Sequence, residues 1–239
     1  MPAPPAPRLS VVIPCLDEGA LIRPALRALQ PLRAQGCELL LVDGGSRDGS
    51  LELAAGLVDR LLKSAPGRAR QMNAGASNAA GEVLWFLHLD SQVPADAPRL
   101  IRAGLARSGR GWGRFDIRLS GDRPSLRLVA AMMNLRSRLS GIATGDQGIF
   151  VRREWFQSLG GYAEIPLMED IELSRRCKRR GPPLCIREPL VTSSRRWERH
   201  GVWRTVALMW RLRLAYFLGA DPDRLARLYR PCASPTPES

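Results

Sequence analysis

An α/β fold on a mostly parallel sheet is what the sequence predicts, and three observations carry the prediction. Apolar, β-branched runs alternate with segments of helical period in the order strand, helix, strand, helix. One run, Val83 to Leu87 (V-L-W-F-L), is apolar at every position, which suits a strand covered on both faces. The runs also end in polar residues: His88, Asp90 and Gln92 after Val83 to Leu87, Asp43 after Glu38 to Val42, and Glu18 soon after Leu9 to Ile13. In open α/β sheets ligands bind outside the carboxyl ends of the strands, so these groups are placed for chemistry. Along an extended segment, residues 88, 90 and 92 point to one side, where an imidazole, a carboxylate and an amide oxygen would converge on one ion. The plainer reading is a strand exit with a capping aspartate.

A chain of 239 residues, 45% hydrophobic, can bury the core of one large domain. Five scattered cysteines (Cys15, Cys37, Cys177, Cys185, Cys232) form no CxxC pair, which excludes a zinc ribbon, a thioredoxin-like site and a disulfide scaffold. A reducing, cytoplasmic setting fits, since the P-A-P-P-A-P opening lacks the apolar run of a secretory signal. The net charge of +13 is unevenly spread: Met1 to Asp90 carries nine Lys/Arg and nine Asp/Glu, and Ser91 to Ser239 carries 27 against 14. A basic second half suggests an anionic partner, either a phosphorylated acceptor or an anionic membrane surface. Nucleic acid is not expected, because no basic motif is interleaved with aromatics.

Leu9 to Ile13 reads as the first strand, closed by Pro14. A helix is predicted over about Ala20 to Gln35, with Gly36 as its stop. Glu38 to Val42 is a second strand, followed by a D-G-G-S-R-D-G-S turn and a helix over Leu51 to Val58. A short element near Arg60 to Ser64 precedes a basic loop, G-R-A-R-Q-M-N-A-G, that runs into a small-residue helix through Ala80. There is no Walker A sequence, and G-G-S-R-D-G is not the dinucleotide G-x-G-x-x-G, so neither an NTPase nor a dehydrogenase is supported.

Three motifs in order give these loops a more specific meaning. V-V-I-P-C-L-D-E-G, D-G-G-S-R-D-G and L-H-L-D-S-Q resemble the V-I-P-x-x-N/D-E, D-D/G-G-S-x-D-G/N and D-x-D segments of family 2 glycosyltransferases of the GT-A fold. The resemblance continues through G-D-Q-G-I-F-V-R-R and M-E-D-I-E-L-S-R-R and covers roughly residues 9 to 200. In detail the chain looks most like the bacterial selenodomain-associated transferase 2 subgroup, a name that specifies no substrate.

The resemblance implies that Pro14, Glu18 and Asp43 hold the nucleoside, with Arg68 near the nucleotide. It implies that Asp90 binds a divalent metal bridging the diphosphate, and that Asp170, next to Glu169, is the base. His88 replaces the first carboxylate of D-x-D. Metal ligation, a hydrogen bond to phosphate and simple packing all stay open for it, and an imidazole ligand favours Mn²⁺ over Mg²⁺. Gln92 resembles the glutamine that follows D-x-D in polyprenyl-phosphate sugar transferases. Arg195, Arg196 and Trp197 match an R-W element linked to acceptor or diphosphate, and His200 is a second histidine just beyond. The implied function is inverting transfer of a sugar from a nucleotide-diphosphate-sugar to an acceptor the sequence does not identify, a lipid-linked one such as polyprenyl phosphate being a specific case. The rival is a nucleotide-sugar-binding protein without transferase activity.

In the second half a helix is expected around Arg99 to Arg107, a strand over Gly111 to Leu119, an amphipathic helix over Leu126 to Leu139 and a strand over Gly145 to Arg152. Trp155 to Leu159 begins a short helix, and Glu169-Asp170 opens another that ends at Arg180. Carboxylates at a helix N-terminus are favoured in the charged form, as a proton acceptor requires. Val202 to Leu218 is apolar with tryptophans, but its three arginines (Arg204, Arg211, Arg213) argue against a membrane span. It is either an interfacial helix on the inner face of the membrane or a helix packed on the domain. A last short helix is expected over Asp221 to Tyr229. The expected organisation is a disordered lead-in (1–8), a GT-A domain (9–200) with a nucleotide-binding half (9–92) and an acceptor half (93–200), a helical segment (201–230) and a tail (231–239).

Overall fold

A computed structural model of the chain describes residues 9–229; the expected lead-in and tail, with Cys232, lie outside them. The first half runs β1 (Leu9–Cys15), α1 (Gly19–Ala28), α2 (Gln30–Ala34), β2 (Cys37–Asp43), α3 (Ser50–Ala54), β3 (Arg60–Lys63), α4 (Arg68–Asn78) and β4 (Val83–Phe86). The second half adds α5 (Ala97–Ser108), β5 (Trp112–Leu119), α6 (Pro124–Ser140), a 3₁₀ turn (Gly145–Gln147), β6 (Phe150–Arg152), α7 (Arg153–Ser158) and α8 (Glu169–Arg180). It closes with β7 (Leu184–Thr192), α9 (Arg195–His200), α10 (Val202–Phe217) and α11 (Pro222–Leu228).

The strands form one sheet in the order β3-β2-β1-β4-β6-β5-β7. Only β6 runs antiparallel to its neighbours; the other pairs are parallel. Apolar side chains fill both faces, as the unbroken runs predicted. Val11, Ile13, Leu39, Leu41 and Trp85 pack under α1 and α5, and Val12, Leu40, Val42, Leu84 and Phe86 pack under α4 and α8. The contact with α4 depends on a glycine. A Cβ added at Gly75 would lie 2.3 Å from Val12 Cγ1 and 3.0 Å from Val42 Cγ2, so α4 would have to lift off the strands. Gly75→Ala is therefore expected to destabilise the fold by about 1–3 kcal/mol, the usual scale of overpacking. Urea unfolding would show this as a lower midpoint at unchanged slope; an unchanged midpoint would contradict it.

Several expected elements are corrected by local chemistry. The helix expected over Ala20 to Gln35 breaks at Leu29, because Pro31 near the start of α2 has no N–H to continue the ladder. The helix after the D-G-G-S turn stops at Ala54, two residues before Gly56 at φ 78°. The strand expected over Gly145 to Arg152 is a 3₁₀ turn that ends at Gly148 (φ 57°), with β6 confined to its last three residues. β7 escapes a periodicity reading altogether. Its sequence, L-C-I-R-E-P-L-V-T, contains a proline and two charges, features suited to the edge strand it is.

The most consequential correction concerns His88, Asp90 and Gln92. β4 ends at Phe86, and the Ser91 N–H donates to the His88 carbonyl at 3.1 Å, so the chain turns at Leu89-Asp90. The two-residue alternation of an extended segment is lost there. Gln92 then pairs with β7 instead: its N–H donates to Val191 O at 2.8 Å and its carbonyl accepts from Val191 N at 3.0 Å. The three side chains do not converge on one point.

Candidate nucleotide-binding and catalytic site

The carboxyl ends of β1 and β2 are tied together by their own polar residues. Asp43 is buried and accepts from the N–H groups of Gly45 (3.0 Å) and Ser46 (3.1 Å) and from the Ser46 hydroxyl. Asp17 adopts φ 52°, a left-handed conformation that aspartate tolerates, and its carboxylate accepts from Arg47 N at 2.8 Å. Asp48 reaches back to Gly19 N at 2.7 Å, and the Ser50 hydroxyl accepts from Glu18 N at 3.1 Å. Beneath the loops, buried Gln71 on α4 donates from Nε2 to Cys15 O (2.6 Å) and Val42 O (2.9 Å). Sequence reasoning passed over Gln71, although it lies inside the quoted G-R-A-R-Q-M-N-A-G loop. Pro14 lies within β1 opposite Val42.

Around this platform the charged groups gather. Glu18 is half-buried, and burial is the main cause that raises its carboxyl above the usual value; Arg195 and Arg68 lower it, Asp90 and Asp48 raise it. Asp90 is partly exposed, with Arg195 Nη2 4.0 Å from its Oδ2. Arg68, at the start of α4, lies 3.8 Å from Glu169. Burial pulls the Arg68 guanidinium down, but Glu169, Tyr229, Asp170 and Asp90 together outweigh it and hold it charged. Glu18, Arg68, Asp90, Glu169, Asp170 and Arg195 thus face one region, although they come from five separate parts of the chain.

Asp170 is held from two sides. Its Oδ2 accepts from Gly145 N at 2.7 Å and its Oδ1 from Ile171 N at 2.7 Å. Gly145 in turn sits against His88: a Cβ there would lie 2.7 Å from His88 Nε2 and 3.7 Å from Asp170 Oδ2. The residue before the acidic pair, Met168, has φ 72°, unusual for a non-glycine residue, and is anchored in a small core with Ile171, Leu212 and Leu225. The C-terminal helices therefore pack against the turn that presents Glu169 and Asp170.

Glu169 departs from the expectation of a charged N-terminal carboxylate. Burial, and then the charge of Asp170, push it up from 4.5 to about 7, against the pull of Arg68. Between those values the folded state keeps a proton that the unfolded chain has released, so the group costs stability as pH rises through the window and the cost is complete above it. Acidifying from about pH 7.5 to about pH 5.5 is therefore expected to raise the melting temperature of the wild type relative to Glu169→Gln, which lacks the titration. Calorimetry of both across that range checks this; a wild type–variant difference independent of pH would contradict it.

The other expected residues separate. His88 Nε2 is sealed from solvent without a hydrogen-bond partner, and burial pushes the imidazole down to about 3, so it is neutral. The Gln92 side chain is exposed in a shallow surface groove with Pro94, Glu188 and Pro189. Of Arg195, Arg196 and Trp197, Arg195 is the one that reaches Asp90. The Arg196 guanidinium stacks 3.8 Å over the Tyr229 ring, and Trp197 packs against Leu119, Leu126 and Val129. His200 ends α9 at the surface. Among the described residues, no three His, Cys, Asp or Glu side chains are grouped to hold a metal ion. The donor set fits an ion that takes one protein carboxylate, Asp90, and completes its shell with substrate oxygens and water; it does not fit a protein cage.

A mostly parallel sheet with one antiparallel strand set inside it, acidic loops at the carboxyl ends of β1, β2 and β4 and an acidic pair opening a later helix make up the GT-A fold of nucleotide-sugar transferases. Residues 10–109 match the family profile described as glycosyl transferase family 2. A Salmonella choleraesuis protein named undecaprenyl-phosphate 4-deoxy-4-formamido-L-arabinose transferase is 30% identical over 166 residues, covering 63% of this chain and 49% of that protein. The chain thus spans about half the length of the curated relatives it matches. Among solved structures, the mannosyltransferase PcManGT of Pyrobaculum calidifontis, in complex with GDP-Man and Mn²⁺, superposes with TM-score 0.63 at 20% identity, over 96% of this chain and 66% of that one. Staphylococcus aureus TarS 1–349 in complex with UDP-GlcNAc gives 0.63 at 15% identity, over 78% of this chain and 58% of that one. At these identities the likeness establishes the fold. No described helix is long and apolar enough to cross a membrane.

Proposed function

We propose that the chain transfers a sugar from a nucleotide-diphosphate-sugar to a lipid-linked acceptor with inversion at the anomeric carbon. The observation that carries this reading is the convergence of Glu18, Arg68, Asp90, Arg195 and the Glu169-Asp170 pair at the carboxyl ends of β1, β2 and β4. The relative named for an undecaprenyl-phosphate acceptor supports the acceptor class, and the complexes with UDP-GlcNAc and GDP-Man support the donor class.

In this mechanism the tied loops after β1 and β2, with Pro14, Glu18 and Asp43, hold the nucleoside, while Arg68 and Arg195 bracket the diphosphate. A divalent ion on Asp90, a class of ion supported by the neighbour solved with GDP-Man and Mn²⁺, would neutralise charge on the leaving diphosphate. Asp170, held by the N–H groups of Gly145 and Ile171, takes the proton of the acceptor's attacking group, a hydroxyl or the P–OH of a monoprotonated lipid phosphate, as its oxygen bonds to the anomeric carbon. The nucleoside diphosphate departs from the opposite face, which inverts the configuration. His88 packs against Gly145, whose N–H holds Asp170.

The test is incubation with radiolabelled nucleotide-sugars and a bacterial lipid extract, followed by organic extraction. Protein-dependent label in the organic phase is expected. Label that stays wholly aqueous, with every donor intact, would refute the transfer.

A further inference from the structure

Helices α6 and α10 pack their inner faces on the domain but leave their outer faces bare. On α6, Leu128, Met132, Leu135 and Leu139 recur at helical spacing along one exposed stripe, with Leu139 79% exposed. On α10, Trp203, Trp210, Leu214 and Phe217 do the same, with Trp210 57% exposed, while Thr205 and Leu212 on the opposite side are buried. The stripes meet, since Trp210 shares an open groove with Met132, Leu135, Arg136 and Leu139. Scattered exposed apolar residues are ordinary, but two contiguous stripes on adjoining helices mark an interaction surface.

The charges beside the stripes say what covers them. Arg204 and Arg211 are exposed on one flank of the α10 stripe, and Arg213 lies on the other. Arg136 flanks the α6 stripe, and its Nε and Nη2 are buried without a hydrogen-bond partner. Burial, and then the neighbouring Arg213, push the Arg136 guanidinium down to about 10 against the pull of Asp146 and Asp170. A second copy of this chain would bring arginine against arginine across the contact. An anionic bilayer satisfies both features, taking the apolar stripes below the headgroups and the exposed Arg204 and Arg211 among the phosphates.

We propose that the joined outer faces of α6 and α10 dock this protein on an anionic membrane surface. The inference is independent of the donor site and of which acceptor is used. Docked in this way, the site lies close to the bilayer, because Arg136 borders the Asp146 and Asp170 carboxylates and Arg213 borders Asp146.

Flotation with phosphatidylcholine vesicles, with and without about 30% phosphatidylglycerol, tests it. The full chain is expected to float with the anionic vesicles only, less so as salt rises, with a blue shift of tryptophan emission. Leu135→Glu and Trp210→Glu, both at exposed positions, should each lower binding at least about tenfold, and Arg204→Gln with Arg211→Gln should do the same. Melting temperatures of the variants serve as the check on folding. Equal flotation of wild type and all variants would overturn the proposal, as would no flotation of the wild type. A solution dimer that Trp210→Glu dissociates, without vesicle binding, would instead assign the face to a second copy.

Discussion

Asp170→Asn is expected to lower sugar transfer by about 10² to 10⁴-fold while leaving nucleotide affinity within about threefold. The amide keeps the shape of the carboxylate and can still accept from Gly145 N or Ile171 N with its one remaining oxygen. What it loses is the charge that accepts the proton. Glu169 is a poor substitute, because its buried carboxyl holds its own proton up to about 7 and its charged form faces Arg68. Steady-state release of nucleoside diphosphate, with calorimetric titration of the nucleotide on the same preparation, separates the two effects. A variant that retains full turnover would remove Asp170 from the chemistry, and one that loses nucleotide binding as well would make its role structural.

Asp90→Ala is expected to abolish the dependence of nucleotide binding on divalent metal and to reduce turnover by at least about 100-fold. The reasoning is one of donor supply. His88 is sealed behind Gly145, Gln92 is committed to the β7 bridge through its backbone, and no group of three acidic, histidine or cysteine side chains stands in reserve among the described residues. With Asp90 removed, the protein contributes no first ligand, and the nearby Arg195 loses its only carboxylate within 4.0 Å among the described residues. Residual binding should then be insensitive to EDTA and carried by the arginines. Kinetics across a Mn²⁺ titration would show this as a flat response; metal activation retained in the variant would move the ion elsewhere.

What the sequence disclosed well was whatever repeats or resists alternatives. The apolar runs of β1, β2 and β4 placed the sheet centre, because continuous burial on both faces leaves little freedom in composition. The loops at their ends were legible for the same reason, since polar groups there have no core to pack against. Legibility failed where tertiary partners decide the conformation. The run after β4 turns at Leu89-Asp90 instead of staying extended, because β7 captures the backbone of Gln92, and β7 itself carries Pro189 and Arg187-Glu188 that no strand pattern anticipates. Gly145 was visible as part of a motif, but its function as the donor to Asp170 and the seat of His88 requires three distant segments to meet. Tyr229 and Arg196 were similarly unreadable as a stacked pair beside Arg68, since each belongs to a different terminal helix region. The amphipathic pattern of α6 and the tryptophans of α10 were evident, yet only their adjacency makes one surface of them.

The central claim is that the carboxyl ends of β1, β2 and β4 hold a nucleoside diphosphate beside Asp90. It is tested most directly by calorimetric titration of the full chain with UDP, GDP, CDP and dTDP, each with Mn²⁺, with Mg²⁺ and with EDTA. The account predicts that one nucleotide binds well above the others, that divalent metal strengthens it by about tenfold or more, and that EDTA reverses the gain. Failure of all four to bind under every condition would contradict it.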